Sequence, residues 1–300
     1  MQKIKIDNLQ EVLEEYTKSV KQYINFDILK QKDKKYLQAN IDNILKAKPK
    51  EFEQIIKNIN HLKIPISKLK KAFVGGKKYA GSVGYTKFSN KQTKPYNAYD
   101  LAKKLNVNVC PYCNRNYTFT TTNSKKNTRP DFDHFYSKEK YPILALSFYN
   151  LIPSCILCNS RLKGRKEFTL KTHLHPYQES FNDYAKFSYK VVNSDFLYTE
   201  DGFELELNTT NNRAENIKKD FALDVLYSRH KDIVLELIQK REIYPDSYID
   251  ELMKNYSGTI FSSRDELMRL ITCGYVNNED INKRPLSKLI KDISEELGFV

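Results

Sequence analysis

Two Cys-x-x-Cys pairs constrain the fold of this chain more than any other feature. They consist of Cys110, Cys113, Cys155 and Cys158, and 42 positions separate Cys113 from Cys155. Four thiolates at such spacings are enough to close a tetrahedral zinc site. A site closed by four protein ligands has no position for a substrate, so we expect a structural zinc ion. The fifth cysteine, Cys273, lies in an apolar run, and we expect it to be a buried, small apolar side chain.

The cysteine pairs are also compatible with two alternatives. Paired knuckles of this kind most often belong to a zinc ribbon that binds nucleic acid or protein without catalysis. Disulfide bonds are the second alternative, but the first residues, Met-Gln-Lys-Ile-Lys, do not resemble a secretory signal peptide. We therefore expect a cytoplasmic protein whose cysteines bind metal.

Polar residues with catalytic potential lie between the cysteine pairs and just beyond them. Asp133 and His134 are adjacent, Asn150 precedes the second pair by five residues, and Asn159 follows it directly. A carboxylate, an imidazole and amide oxygens on a short zinc-held segment suit a one-metal hydrolase that acts on phosphodiesters. Each residue alone is compatible with an ordinary structural role, because a single strand histidine is usually structural and asparagines are common in turns. Their combined spacing favours a catalytic role.

This pattern resembles the signature of the HNH endonuclease family in its His-Asn-Asn form. The resemblance implies a ββα-metal finger, in which a two-stranded hairpin is followed by one helix. It implies that His134 is the general base and that Asp133 and Asn159 bind a catalytic Mg²⁺ or Mn²⁺ ion. Asn150 would fix the loop and orient the histidine.

The local sequence agrees with a hairpin followed by a helix. Residues 115–121 and 131–136 favour β-structure, and a polar turn lies at 123–128. Pro153 and Ser154 indicate a helix start, with Ser154 as N-cap and the helix continuing to 163–164. Cys155 and Cys158 would then share one face of its first turn.

The charge distribution favours a nucleic-acid ligand. The net charge is +13, and residues 1–200 carry 36 Lys and Arg against 18 Asp and Glu, whereas residues 201–300 carry 14 against 19. A basic region attracts a phosphate backbone. The best candidates for phosphate contacts follow Asn159 and are Arg161, Lys163, Arg165 and Lys166, and a solvated helix end is the alternative for any one of them.

Hydrophobic patterning predicts an α+β fold that is mainly helical. Helical stripes occur over 9–20, 36–45 and 52–59, and alternation over 186–208 predicts a hairpin. The predicted organisation has four parts: a helical region over 1–74, a Gly- and Lys-rich linker or loop over 75–96, the zinc-stapled HNH module over 97–178, and an α+β to helical region over 179–300. No apolar run is long enough to span a membrane.

A more detailed resemblance, to the HNH nuclease subunits (PtuB) of Septu-type anti-phage systems, including those attached to retrons, covers roughly residues 110–178. It is carried by residues 132–136, 141–155 and 175–177, and residues 284–289 are similar to that group as well. It implies an ABC-type ATPase partner, PtuA, and in retrons a reverse transcriptase with its RNA–DNA product. DNA and tRNA both stay open as substrates, and so does a nuclease that needs no partner. The acidic region over 201–300 is a candidate docking surface for a partner, and a plain structural cap is an equally simple alternative. His173 and His175 suggest metal ligands, phosphate contacts or a surface turn.

Overall fold

The structure is a computed structural model that describes residues 3–76, 83–90, 95–123 and 126–300. Within these residues the fold is α+β and mainly helical, as the sequence predicts. The predicted linker over 75–96 lies partly outside the described residues, and so does the centre of the predicted turn over 123–128.

The chain divides into two compact units. The N-terminal unit comprises the described residues of Ile4–Val107 and Thr118–Gln178. The C-terminal unit contains mainly Asn108–Tyr117 and Glu179–Val300. The residues Asp133, His134, Asn150 and Asn159 all belong to the N-terminal unit.

The first part of the N-terminal unit is helical. Its helices are α1 Leu9–Val20, α2 Gln31–Lys46, α3 Phe52–His61, α4 Ile66–Leu69, α5 Gly84–Phe88 and α6 Ala98–Leu105, and a short π-helix, Lys70–Val74, follows α4. The three predicted stripes correspond to α1, α2 and α3, which confirms those predictions. Asn97 caps α6 by accepting the N–H of Tyr99 at 2.8 Å, as expected of an asparagine at this position.

The N-terminal helices hold the segment that leads into the candidate site. Tyr16 of α1 is fully buried, its ring packs edge-on against Phe148 at 5.3 Å, and its hydroxyl donates to the carbonyl of Leu146 at 2.7 Å. Ser147 donates to the carbonyl of Ile44 in α2 at 2.8 Å. Residues 146–148 are therefore anchored to the helical core two residues before Asn150.

The strand that carries Asp133 and His134 pairs differently from the prediction. Here β1 is Thr121–Thr122, β2 is Asn127–Thr128, β3 is Asp131–His134 and β4 is Leu151–Ser154. Strand β1 pairs with β2, whereas β3 pairs antiparallel with β4, with His134 opposite Leu151. The predicted strand over 115–121 is therefore wrong for most of its length. A pairing across 20 residues is non-local, and local propensity carries no signal for it.

The predicted helix start at Ser154 is also wrong. Pro153 and Ser154 belong to β4, and the helix after them is a π-helix, Leu157–Lys163. Proline is tolerated in β4 because, among the described residues, this strand pairs with β3 alone and its other edge needs no N–H donor. At the start of this helix the sulfur of Cys155 accepts the backbone N–H of Cys158 at 3.5 Å.

The C-terminal unit combines one hairpin with a set of helices. The predicted hairpin is confirmed as β5 Ala185–Val191 paired antiparallel with β6 Phe203–Thr209. The helices are α7 Asn212–Asp220, α8 Leu223–Tyr227, α9 Lys231–Ile243, α10 Asp246–Tyr256, α11 Arg264–Thr272 and α12 Ser287–Glu296. Helix α12 is buried along most of its length, including Lys288 and Asp292.

Candidate active site and cysteine cluster

A cleft of about 590 Å³ opens in the N-terminal unit. Its walls are formed by β3, the loop that follows it, the turn after the helix Leu157–Lys163, and Tyr85 of α5. Asp133, His134 and Asn159 all line this cleft, so the structure brings together three of the residues that the sequence singled out. Asn150 is fully buried and is not among the described residues that line the cleft.

His134 lies at the end of β3 with 7% of its surface exposed. Its Nε2 lies 2.9 Å from the carbonyl oxygen of Ala145, and because a carbonyl only accepts, Nε2 carries the proton. Nδ1 therefore keeps its lone pair. The ring packs edge-on against Tyr85 at 4.3 Å. Burial, and to a smaller extent Lys138, holds the pKa of His134 well below 6.5, so the imidazole is neutral at pH 7.

Asp133 is buried beside His134 and forms an ion pair with Lys163. The ammonium of Lys163 lies 2.6 Å and 2.9 Å from the two carboxylate oxygens of Asp133 and 2.5 Å from the carbonyl oxygen of His134. It also lies 4.7 Å from the centre of the Phe168 ring. Lys163, predicted as a phosphate contact, is thus a buried partner of the carboxylate.

A second carboxylate, Asp131, lies on the same face of β3 as Asp133, because alternate strand residues share a face. The side-chain N–H of Asn159 donates to Asp131 Oδ2 at 3.0 Å. Both residues line the cleft. Sequence reasoning missed Asp131, although its position two residues before Asp133 could have indicated it. Asp131, Asp133 and Asn159 offer the oxygen donors that Mg²⁺ and Mn²⁺ prefer, so the donor set fits such an ion.

Asn150 is fully buried and ties β4 to the loop that follows β3. Its Oδ1 accepts the backbone N–H of Tyr136 at 2.7 Å, and its Nδ2 donates to the carbonyls of Tyr136 and Leu144, both at 3.0 Å. Its own carbonyl accepts the N–H of Phe135 at 3.1 Å. The bonds to Phe135 and Tyr136 act on the chain directly after His134, so Asn150 fixes the loop that shapes this side of the cleft.

The cleft carries an excess of cationic side chains. Of the predicted phosphate contacts, Arg165 and Lys166 are exposed and line the cleft, whereas Arg161 is exposed outside its described lining. Three further cations of the lining carry no signal in the sequence, and they are Arg129, Lys138 and Lys140. Lys138 lies 4.9 Å from the centre of the Tyr85 ring, and burial lowers its pKa. Lys140 forms an exposed ion pair with Glu167 at 2.7 Å.

The four cysteines of the two knuckles come together as predicted. The sulfur atoms of Cys110, Cys113, Cys155 and Cys158 lie within 4.8 Å of one another, and all four residues are buried. A tetrahedral site with bonds of about 2.3 Å would separate its sulfur atoms by about 3.8 Å. Cys113 also accepts the backbone N–H of Arg115 at 3.4 Å. The cluster therefore has the ligands that a metal ion such as zinc requires.

The burial of His173, His175 and Cys273 differs from the prediction. His173 is stacked on Phe168 with 3.6 Å between ring centres. His175 is fully buried, and this burial lowers its pKa to about 3. The prediction of a surface turn is therefore wrong for both. Cys273 is exposed at the end of α11, with φ +59°, so the prediction of a buried cysteine is also wrong.

Comparisons of the chain with protein-family models, with curated proteins and with solved structures find no match in any of the three. Within the described part of the chain, every helix is too short or too polar to cross a membrane.

Proposed function

We propose that the cleft of the N-terminal unit is the active site of a metal-dependent endonuclease of the HNH type, which hydrolyses phosphodiester bonds of DNA or tRNA. The observation that carries this proposal is a buried imidazole, His134, oriented by the carbonyl of Ala145 and lying in one cleft with Asp131, Asp133 and Asn159. A base, oxygen ligands for a divalent ion and cationic side chains are the groups that phosphodiester hydrolysis requires.

His134 acts as the general base. Ala145 holds the proton on Nε2, so Nδ1 takes a proton from a water molecule as the water oxygen bonds to phosphorus. The bond between phosphorus and the leaving oxygen breaks, and that oxygen takes a proton from solvent. The products are a phosphate monoester and an alcohol. A pKa below neutrality keeps His134 in the base form before each reaction.

Asp133 and Asn159 would hold the catalytic ion, and Asp131 positions Asn159 by accepting its side-chain N–H. A bound Mg²⁺ or Mn²⁺ ion supplies electrostatic stabilisation of the charge that develops on the phosphate. Asn150 keeps the loop after His134 in place through its bonds to Tyr136. Loss of Asn150 should therefore weaken catalysis less than loss of His134.

Cationic side chains of the cleft, of which Arg165 and Lys166 are exposed and Lys138 is partly buried, bind the phosphate backbone on both sides of the scissile bond. Arg165 and Lys166 lie after the helix Leu157–Lys163, and Lys138 lies on the facing loop. This electrostatic attraction is independent of sequence and weakens with salt. It accommodates DNA and tRNA equally.

Zinc bound by the four cysteines has a structural role. Four thiolates fill its coordination sphere, so it stabilises the fold without contacting the substrate. Participation in anti-phage defence, with an ABC-type ATPase and, in retrons, a reverse transcriptase and its RNA–DNA product, is a further proposal that depends only on the resemblance in the sequence.

Cleavage assays test the proposal. Plasmid DNA and bulk tRNA are incubated with Mg²⁺ or Mn²⁺ and with wild type, His134→Ala or His61→Ala, both with and without the ATPase. His61 is an exposed histidine at the end of α3 and serves as the matched control. We expect cleavage by wild type and His61→Ala, and a loss on the order of 10²- to 10⁴-fold for His134→Ala.

Protein quality is monitored in the same preparations by the zinc content and the melting temperature. Both should be equal in all three proteins. Absence of cleavage by folded, zinc-loaded wild type, with the ATPase present, would contradict the proposal and favour a non-catalytic zinc-ribbon adaptor.

A further inference from the structure

The ion pair between Lys163 and Asp133 lies in the floor of the cleft. The Lys163 side chain is only 3% exposed and that of Asp133 only 5%. An ammonium group only donates, and the acceptors around this one include the two oxygens of Asp133, the carbonyl of His134 and, at 3.5 Å, the carbonyl of Phe135. The site is therefore built around a positive charge, and Lys163 provides it.

The position of Lys163 follows from the helix that carries it. Lys163 is the last residue of Leu157–Lys163, and Gly164 ends the helix with φ +53°. The side chain extends back across Phe168 to reach β3, 30 positions earlier in the chain. The exposed pair Lys140–Glu167 also lies in the cleft, but its two side chains are about half exposed, so water weakens it.

The same two oxygens of Asp133 are needed by a divalent cation. Within the proposed function, Asp133 is a ligand of the catalytic ion, yet both of its oxygens already contact the ammonium. Two positive charges at one buried carboxylate repel each other strongly where little water screens them. An incoming ion therefore has to compete with Lys163.

We propose that Lys163 is an internal counter-ion that holds Asp133 in place without metal and that must withdraw from at least one carboxylate oxygen when the ion binds. Lys163 thereby weakens metal binding and sets the metal concentration at which the site fills. The inference rests on the proposed function, because it assumes that Asp133 binds the catalytic ion. Lys163 is in this sense a positioning residue.

Binding of Mn²⁺ in the absence of nucleic acid tests this inference without any measurement of cleavage. The dissociation constant is measured by electron paramagnetic resonance on the full-length, zinc-loaded chain. The variants are Lys163→Met, the matched control Lys140→Met and Asp133→Asn. The control makes the same substitution at another ion-paired lysine of the cleft.

We expect Lys163→Met to bind Mn²⁺ about tenfold more tightly than wild type, which corresponds to about 1.4 kcal/mol. The control Lys140→Met should change the Mn²⁺ affinity by less than about twofold. Asp133→Asn should lose the site. Should Lys163→Met not fold, Lys163→Gln replaces it, because its amide still donates to Asp133 without a charge, and tighter binding is again expected.

Equal or weaker binding by Lys163→Met would overturn the inference. If Mn²⁺ binding still depends on Asp133 in that case, the metal site of the proposed function stands and only the role of Lys163 is refuted. If wild type and all variants lack an Asp133-dependent site, both ideas fail.

Discussion

The described residues of each unit include a buried Lys–Asp pair, and the surroundings of these two pairs differ. The cleft pair, Lys163–Asp133, joins a helix end to a strand 30 positions away and lines the cleft. The helix pair, Lys288–Asp292, joins two residues one turn apart on α12, and both side chains are 1% exposed. Similar residue types and similar burial therefore do not define a function.

The surroundings of the helix pair account for its structural character. Asp292 also accepts the backbone N–H of Phe187 in β5 at 2.8 Å, so it connects α12 to the hairpin. The backbone N–H of Lys288 donates to Asn114, whose side chain donates in turn to the carbonyl of Ile281. Burial lowers the pKa of Lys288 and raises that of Asp292. Neither residue lies in the described lining of the cleft.

The largest expected difference between the pairs is in cleavage. Asp133→Asn should reduce the cleavage rate by on the order of 10²- to 10³-fold, because Asp133 would hold the metal ion, and that ion stabilises the charge of the transition state by several kcal/mol. Asp292→Asn, the matched control, should leave the rate per folded molecule within about threefold of wild type. Single-turnover cleavage measures both, and equal losses in the two variants would remove the functional distinction between the pairs.

A smaller difference is expected in stability and its response to metal. Lys288→Met removes the nearer cation from the buried charge of Asp292, leaves the ammonium of Lys291 at 3.9 Å, and should lower the free energy of unfolding by about 3 kcal/mol. Lys163→Met should lower it too, but added Mn²⁺ should recover part of that loss, because the ion replaces the missing positive charge at Asp133. Urea unfolding with and without Mn²⁺ measures this, and an equal response to Mn²⁺ in both variants would contradict it.

The smallest expected effect concerns the exposed cations. Arg165→Gln should weaken binding of nucleic acid about two- to fivefold and reduce the slope of log affinity against log salt by about one. Lys254→Gln, at an exposed lysine of α10 in the C-terminal unit, is the control and should change neither. Fluorescence anisotropy on the His134→Ala background measures both. A salt slope unaffected by Arg165→Gln would place the phosphate backbone elsewhere.

Sequence alone was sufficient for the features with a local signal. The apolar stripe from Leu9 to Val20 predicted α1, and the cysteine spacing predicted a cluster whose sulfur atoms lie within 4.8 Å of one another. Asp133, His134 and Asn159 were singled out by spacing, and the structure places them in one cleft. These features depend on periodicity or on the number of ligands that a metal needs.

Features that depend on the path of the chain could not be predicted. The pairing of β3 with β4 joins residues about 20 positions apart. Pro153 is typical of a helix start in the sequence, and only the strand pairing shows that it lies on an edge strand, where proline is tolerated. Lys163 belongs to a run of cations that is usually solvated, and its burial follows only from the position of Asp133. Tyr85, which packs on His134, is 49 positions away from it.

Rescue of His134→Gly by imidazole tests most directly whether the cleft hydrolyses phosphodiesters through His134. Removal of the buried ring leaves room for free imidazole beside Ala145, so added imidazole should restore cleavage to His134→Gly and should not restore it to Asp133→Asn. Cleavage by His134→Gly at the wild-type rate without imidazole, or no cleavage of DNA or tRNA by the wild type, would contradict a nuclease site in this cleft.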